Sequence, residues 1–111
     1  MRSLQLSHFE PQHLHRIKDC YDILLFKKDA YLYYEHQIPH SGIILLEGEL
    51  ITYRRKKEID RLPPGSFIGH QEIIQERPSA FAVKIQAGSK VIMIDKSTIR
   101  SELEKLKKYC S

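Results

Sequence analysis

The chain has 111 residues, 41% apolar and 29% charged, with a formal net charge of +4. That length fits one domain with one modest core, too small for a catalytic domain beside a separate recognition domain. No apolar run approaches the ~20 residues of a membrane span, and the first residues carry no signal-peptide core. A cytoplasmic chain is therefore expected, with Cys20 and Cys110 as free thiols rather than a disulfide.

Residues 1–22 read as a helical segment. Leu14, Ile17 and Tyr21 keep the spacing of one helix face, while Leu4, Leu6 and Phe9 add apolar side chains before them. Ser7 with Glu10 three residues later suggests a capping box, and Pro11 suits a helix start, so a helix over about 11–20 is expected. From Ile23 the pattern turns to short β-prone runs: Ile23 to Phe26, Tyr31 to Tyr34, and a buried run Ile43 to Leu46. The turn Lys27-Lys28-Asp29 separates the first two, and a loop from His36 to Gly42 precedes the third. Gly48, between Glu47 and Glu49, interrupts the strand pattern, which marks a bulge or a close backbone approach. Leu50 to Tyr53 continues it, and Arg54-Arg55-Lys56-Lys57 reads as a solvated hairpin tip leading back into Glu58 to Leu62.

Leu62 to Val83, LPPGSFIGHQEIIQERPSAFAV, reads as a strand end, a tight loop, a short helical turn and a strand start. Gly65 and Gly69 supply turns four residues apart. Ala80 to Ala87 then alternates with period two, with Phe81, Val83 and Ile85 on one face. Gly88-Ser89 turns the chain into Val91 to Ile94. Asp95 or Ser97 caps a final helix with Ile99, Leu103, Leu106 and Tyr109 along one side. Short, regular strands between glycine and proline turns predict an antiparallel sandwich or barrel.

In this order the residues resemble the cyclic nucleotide-binding domain family, as in the sensor half of catabolite-activator-type regulators. LLFKKDAYLYYEHQIPHSGIILLEGEL resembles its entry strands and loop, LPPGSFIG its glycine-paired approach to the phosphate cassette, and AFAVKIQAGSKVIMIDKSTIRSEL its last strands and following helix. The resemblance covers roughly residues 10–108. It implies a mainly β fold with flanking helices, an eight-stranded antiparallel jelly-roll barrel. The domain would run over 1–111, with a helical segment at 1–22, the roll at 23–95 and a helix at 96–109.

In that family, amides of a short helix after the second glycine meet the cyclic phosphate. An acidic residue after that glycine accepts from the ribose, and an arginine about ten residues on pairs with the phosphate. Gly65 and Gly69 match. The acidic position falls on His70, followed by Gln71, and the arginine position on Ser79 or Ala80. Neither recognition side chain is present; Arg77 and Glu72 lie two or three residues out of place. The cassette is thus expected to be a cradle that is empty or reassigned.

No nucleophile signature or P-loop is present. His36, His40 and His70 have no spacing that demands a metal, and His13 and His15 point to nearly opposite sides of a helix. Glu47 and Glu49 share a strand face and read as solvent-facing. No helix-turn-helix is expected, so DNA reading is not. Tyr53 alone adjoins the basic run, short of a stacking platform. The reading that follows is a free-standing, non-enzymatic regulatory or adaptor domain in signal transduction, without a cofactor. It would bind a protein partner or itself, with Ile99, Leu103 and Leu106 as a partner face that the domain's own sheet also competes for. Two alternatives accompany it. One is a cyclic mono- or dinucleotide sensor using amides near Gly69 and Arg77. The other, minor, is a cupin-like metal enzyme.

Overall fold

A computed structural model describes residues 7–107, with the side chains of Ser7, Leu106 and Lys107 left aside. Among the described residues the elements run β1 (Ser7–His8), α1 (Pro11–Ile17), β2 (Ile23–Leu25), β3 (Ala30–Tyr33), β4 (Ser41–Glu47), β5 (Leu50–Arg54), β6 (Lys57–Leu62), β7 (Ser66–Ile68), α2 (His70–Gln75), β8 (Ala82–Ile85), β9 (Lys90–Asp95) and α3 (Lys96–Lys107). The strands form two antiparallel sheets, β1-β7-β4-β9-β2 and β3-β8-β5-β6. Mainly β with flanking helices is therefore what folds. Among the described residues no ladder joins one sheet to the other, and the strands number nine with the two-residue β1.

Two apolar clusters explain why the central strand reads as an unbroken run. Ile43 and Leu45 of β4 point between the sheets, where they meet Tyr33, Leu50, Leu62, Ile68, Val83, Ile85 and Val91. Ile44 and Leu46 point the other way and meet Phe9, Ile17, Phe67, Ile73, Ile92, Ile94 and Ile99. A strand buried on both faces loses the polar alternation of a half-buried one. The three helices cover only the outer face of the five-stranded sheet. The outer face of the four-stranded sheet has no helix on it among the described residues.

The N-terminal segment departs from the expected capping box. Ser7 pairs with Phe67 in a strand, and Glu10 is the N-cap of α1 without a side-chain capping bond to the helix backbone. Pairing with β7 takes Ser7 out of capping range, and Pro11, which has no N–H to satisfy, starts the helix instead. Leu4 and Leu6 lie outside the described residues, as do Tyr109 and Cys110. At the other end, the Asp95 carboxylate accepts the Thr98 N–H at 2.8 Å and the Ser97 hydroxyl at 3.1 Å. These bonds hold its carboxyl below the usual range. Tyr21 ties the ends together: its hydroxyl donates to Glu102 at 2.9 Å. Burial and that carboxylate push its pKa up to about 12.

The turn at Gly48 allows β4 and β5 to separate into different sheets. Its φ is +96°, and an added Cβ would lie 2.7 Å from the Ser89 backbone. The Ser89 hydroxyl in turn accepts the Glu49 N–H at 3.1 Å. The glycine is thus both a left-handed turn and a close backbone approach.

Candidate ligand cradle

The cradle is built by β7, Gly69, α2 and the return to β8. Gly65 anchors its entry: its N–H donates to Leu45 O at 2.7 Å and its carbonyl accepts the Phe9 N–H at 2.8 Å. Gly69 is the left-handed N-cap of α2, at φ 87°. The chain leaves α2 through Glu76, also left-handed, with the Arg77 N–H bonded to Glu72 O at 2.9 Å. It then pairs with the loop after β3: Ser79 N–H donates to Gln37 O at 2.9 Å, and His36 N–H donates to Ser79 O at 2.7 Å.

The two positions that would carry nucleotide recognition are committed elsewhere. The His70 side chain is 1% exposed and stacks on Phe67 at 4.0 Å with an interplanar angle of 10°. Phe67 belongs to the helix-covered cluster, so the imidazole is on the outer face of its sheet and not between the sheets. The Ser79 hydroxyl is buried within its own turn, donating to Phe81 O at 2.7 Å and accepting the Phe81 N–H at 3.2 Å. Ala80, half-buried, brings no polar side chain. Gln71 is half-buried, and Arg77 is exposed.

Tyr33 and the burial of Glu72 at this site were not foreseen in the sequence, although Glu72 itself was singled out there. The Tyr33 ring reaches up from the inter-sheet core until its hydroxyl lies under Gly69, where it donates to Ser41 O at 2.6 Å. A Cβ on Gly69 would fall 2.1 Å from that oxygen. A tyrosine therefore fills the space beneath the second glycine. Glu72 is 2% exposed and neither carboxylate oxygen has a hydrogen-bond partner among the described residues. Burial pushes its carboxyl up from the ordinary range, and the Arg77 charge pulls it partly back. Burial also raises the Tyr33 phenol, with the Glu72 charge adding to it. Periodicity cannot reveal either. A bulge at Leu32 shifts the register between Tyr31 and Tyr33 and sends the two tyrosines to opposite faces.

On the open side of the cradle lies a cleft of about 300 Å³, lined by Glu35, His36, Arg54, Arg55, Pro78, Ser79 and Ala80. Of the three histidines weighed as ligands of the minor metal-site alternative, His36 and His40 are exposed and His70 is buried. Among the described residues no three His, Cys, Asp or Glu side chains come together as a metal site. Among those residues, too, no helix is long and apolar enough to cross a membrane. Of the expected partner face, Ile99 is fully buried under its own domain and Leu103 is half-buried; the Leu106 side chain lies outside the described set.

A two-sheet β domain with a glycine-capped short helix between β7 and β8, and a longer helix after the last strand, is the arrangement the chain folds into. Comparison with solved structures shows that this fold is that of the cyclic nucleotide-binding domain. PfPKA-R in its cAMP-bound form superposes with a TM-score of 0.69 at 18% identity, over 89% of this chain and 35% of that one. The Thermus thermophilus catabolite activator protein gives 0.68 at 11% identity, over 87% of this chain and 48% of that one. A cyclic nucleotide-binding-like protein from Brucella abortus gives 0.66 at 21% identity, over 86% of both chains. The chain thus spans between a third and a half of the first two. No family model and no curated protein matches the sequence.

Proposed function

We propose that this chain is a cytoplasmic, non-enzymatic regulatory or adaptor domain. Its two sheets form the jelly roll of the cyclic nucleotide-binding fold, and its nucleotide chemistry is lost. The observation that carries this reading is Ser79. The resembling family's phosphate-binding arginine falls on Ser79 or Ala80; the serine closes its own turn and the alanine has no polar side chain. His70, at the acidic position, is stacked away from the cradle, and Tyr33 occupies the space under Gly69. A cyclic phosphate held by backbone amides alone lacks the charge-assisted pair that supports affinity. Titration calorimetry with cyclic AMP, cyclic GMP and cyclic dinucleotides is expected to give no heat at millimolar ligand. Micromolar binding that disappears in Arg77→Ala would overturn the proposal in favour of a sensor.

The partner surface we assign is edge strand β2, and the partner is a second copy of the chain. Ile23, Leu24 and Leu25 are 44%, 43% and 52% exposed in succession. Sheet edges are ordinarily blunted by charge or proline, and this one is apolar on both faces. Asp22 precedes the strand, and Lys27 and Lys28 follow it. Antiparallel pairing of two copies therefore sets each acidic end beside a basic end. Sedimentation of the wild-type protein is expected to show a dimer that Leu24→Lys dissociates while the monomer stays folded. A wild-type monomer at high concentration would remove this assignment without touching the calorimetric result.

A further inference from the structure

We propose that the bare face of the four-stranded sheet, with the hairpin tip beside it, binds single-stranded nucleic acid. The inference does not rest on the reading of the cradle. Tyr31 and Tyr34, from β3 and the residue after it, meet Tyr53 of β5 there. Tyr31 stacks on Tyr34 with ring centroids 5.5 Å apart, and Tyr31 and Tyr53 are 6.2 Å apart. The Lys84 ammonium sits 5.9 Å from the Tyr53 centroid. Tyr31 and Tyr34 are 47% and 55% exposed, so each keeps ring surface open to an incoming base. Stacking on such rings is the sequence-tolerant way proteins hold unpaired bases.

The segment that carries Tyr53 runs directly into the cations Arg54-Arg55-Lys56-Lys57, while Tyr34 is followed by Glu35 and His36. Arg54, Arg55 and His36 line the 300 Å³ cleft at the cassette's end. The acidic neighbours are already engaged. Glu49 and Glu58 hold Arg61, at 2.8 and 2.7 Å, Asp29 pairs with Lys84 at 3.8 Å, and Glu35 accepts the Arg55 N–H at 3.0 Å. None of the ion pairs of the described residues uses Arg54, Arg55, Lys56 or Lys57. The tip is held in an uncommon form. Arg55 and Lys56 both have positive φ, 53° and 68°, where two-residue hairpins ordinarily carry Asn-Gly. Two long cations in that conformation are strained, and the strain displays their charge at the end of the tyrosine row. Phosphates in the cleft and at the tip, with bases on the rings, match this arrangement. Bases in a duplex are already stacked on one another and offer the rings nothing.

Fluorescence anisotropy with labelled ~12-nucleotide oligo(U), oligo(dT) and a duplex of equal length tests the proposal. Both single strands are expected to bind, the duplex at least about tenfold more weakly; the ratio of oligo(U) to oligo(dT) assigns RNA or DNA as the natural source. Tyr34→Ala is expected to weaken binding about tenfold at unchanged salt dependence, and Tyr34→Phe to restore it. Arg54→Gln/Arg55→Gln is expected to flatten the slope of log K against log salt by about 1.4, two phosphate contacts at about 0.7 each. All three variants alter exposed side chains, and circular dichroism confirms their folding. Absence of single-strand binding at about 100 µM protein overturns the proposal. So does duplex binding as tight as single-strand binding, or full affinity in both Tyr34→Ala and the double arginine variant.

Discussion

At the scale of single residues, the cradle is held by what cannot be added to it. Gly69→Ala would place a methyl group on the Tyr33 hydroxyl at a left-handed backbone position. The backbone part alone costs about 1–3 kcal/mol. Tyr33→Phe removes a bond to Ser41 O and costs about 0.5–1.5 kcal/mol. The two residues touch, so urea unfolding of the double variant should show a smaller loss than the two single losses added. Glu72 gives a pH signature. Its carboxyl is raised in the folded state by burial, so the folded chain holds a proton that the unfolded chain releases. Stability should therefore fall as pH rises through and above the ordinary carboxylate value of 4.5. Glu72→Gln, neutral at every pH, should flatten that decline and raise the melting temperature at pH 7 relative to wild type. A Glu72→Gln protein with an unchanged pH–melting profile would show that the carboxyl is solvated in the folded state.

The elements were legible to different degrees, for identifiable reasons. Ile43 to Leu46 reads as a buried strand because both faces are covered, and Asp95 reads as a cap because its carboxylate lies within reach of Thr98 N–H in sequence as in space. The N-terminus misled because Ser7-x-x-Glu10 is a local pattern, and a long-range pairing with Phe67 outweighs it. The run Ile23 to Phe26 identifies a strand but not its place at a sheet edge, since strand order is set by partners far along the chain. That His70 and Ser79 stand at the turns around α2 was legible in the sequence. The Tyr33 ring beneath Gly69 was not, because a bulge at Leu32 reverses which tyrosine faces inward. The platform of Tyr31, Tyr34 and Tyr53 was equally hidden: β8 inserts between β3 and β5, and only the pairing of Lys84 with both Tyr31 and Ile51 brings them together. For α3, Ile99 is the anchor. Ile99→Ala should cost about 2–5 kcal/mol in denaturant unfolding, and Leu103→Ala clearly less, since Leu103 is only half-buried.

For the whole molecule, the asymmetry of the two sheets decides how stability is distributed. The five-stranded sheet has core on both faces and the four-stranded sheet on one. Amides of β4, bonded to β7 and β9 and buried on both sides, should exchange with solvent only on global unfolding. Amides of β3 and β6, at the edges of the half-covered sheet, should exchange through local opening, orders of magnitude faster. Equal protection of β4 and β6 by hydrogen exchange would contradict this division.

The Arg55-Lys56 turn has one further consequence, for the evolvability of the chain. Its backbone conformation suits Asn-Gly far better than two long cations. Selection for heat resistance alone, in a laboratory library free of any binding requirement, should therefore find Arg55→Asn and Lys56→Gly early. Each such gain in melting temperature would fall at two residues of the proposed nucleic-acid surface. A thermostability screen would then mark that proposed surface without any ligand in the tube.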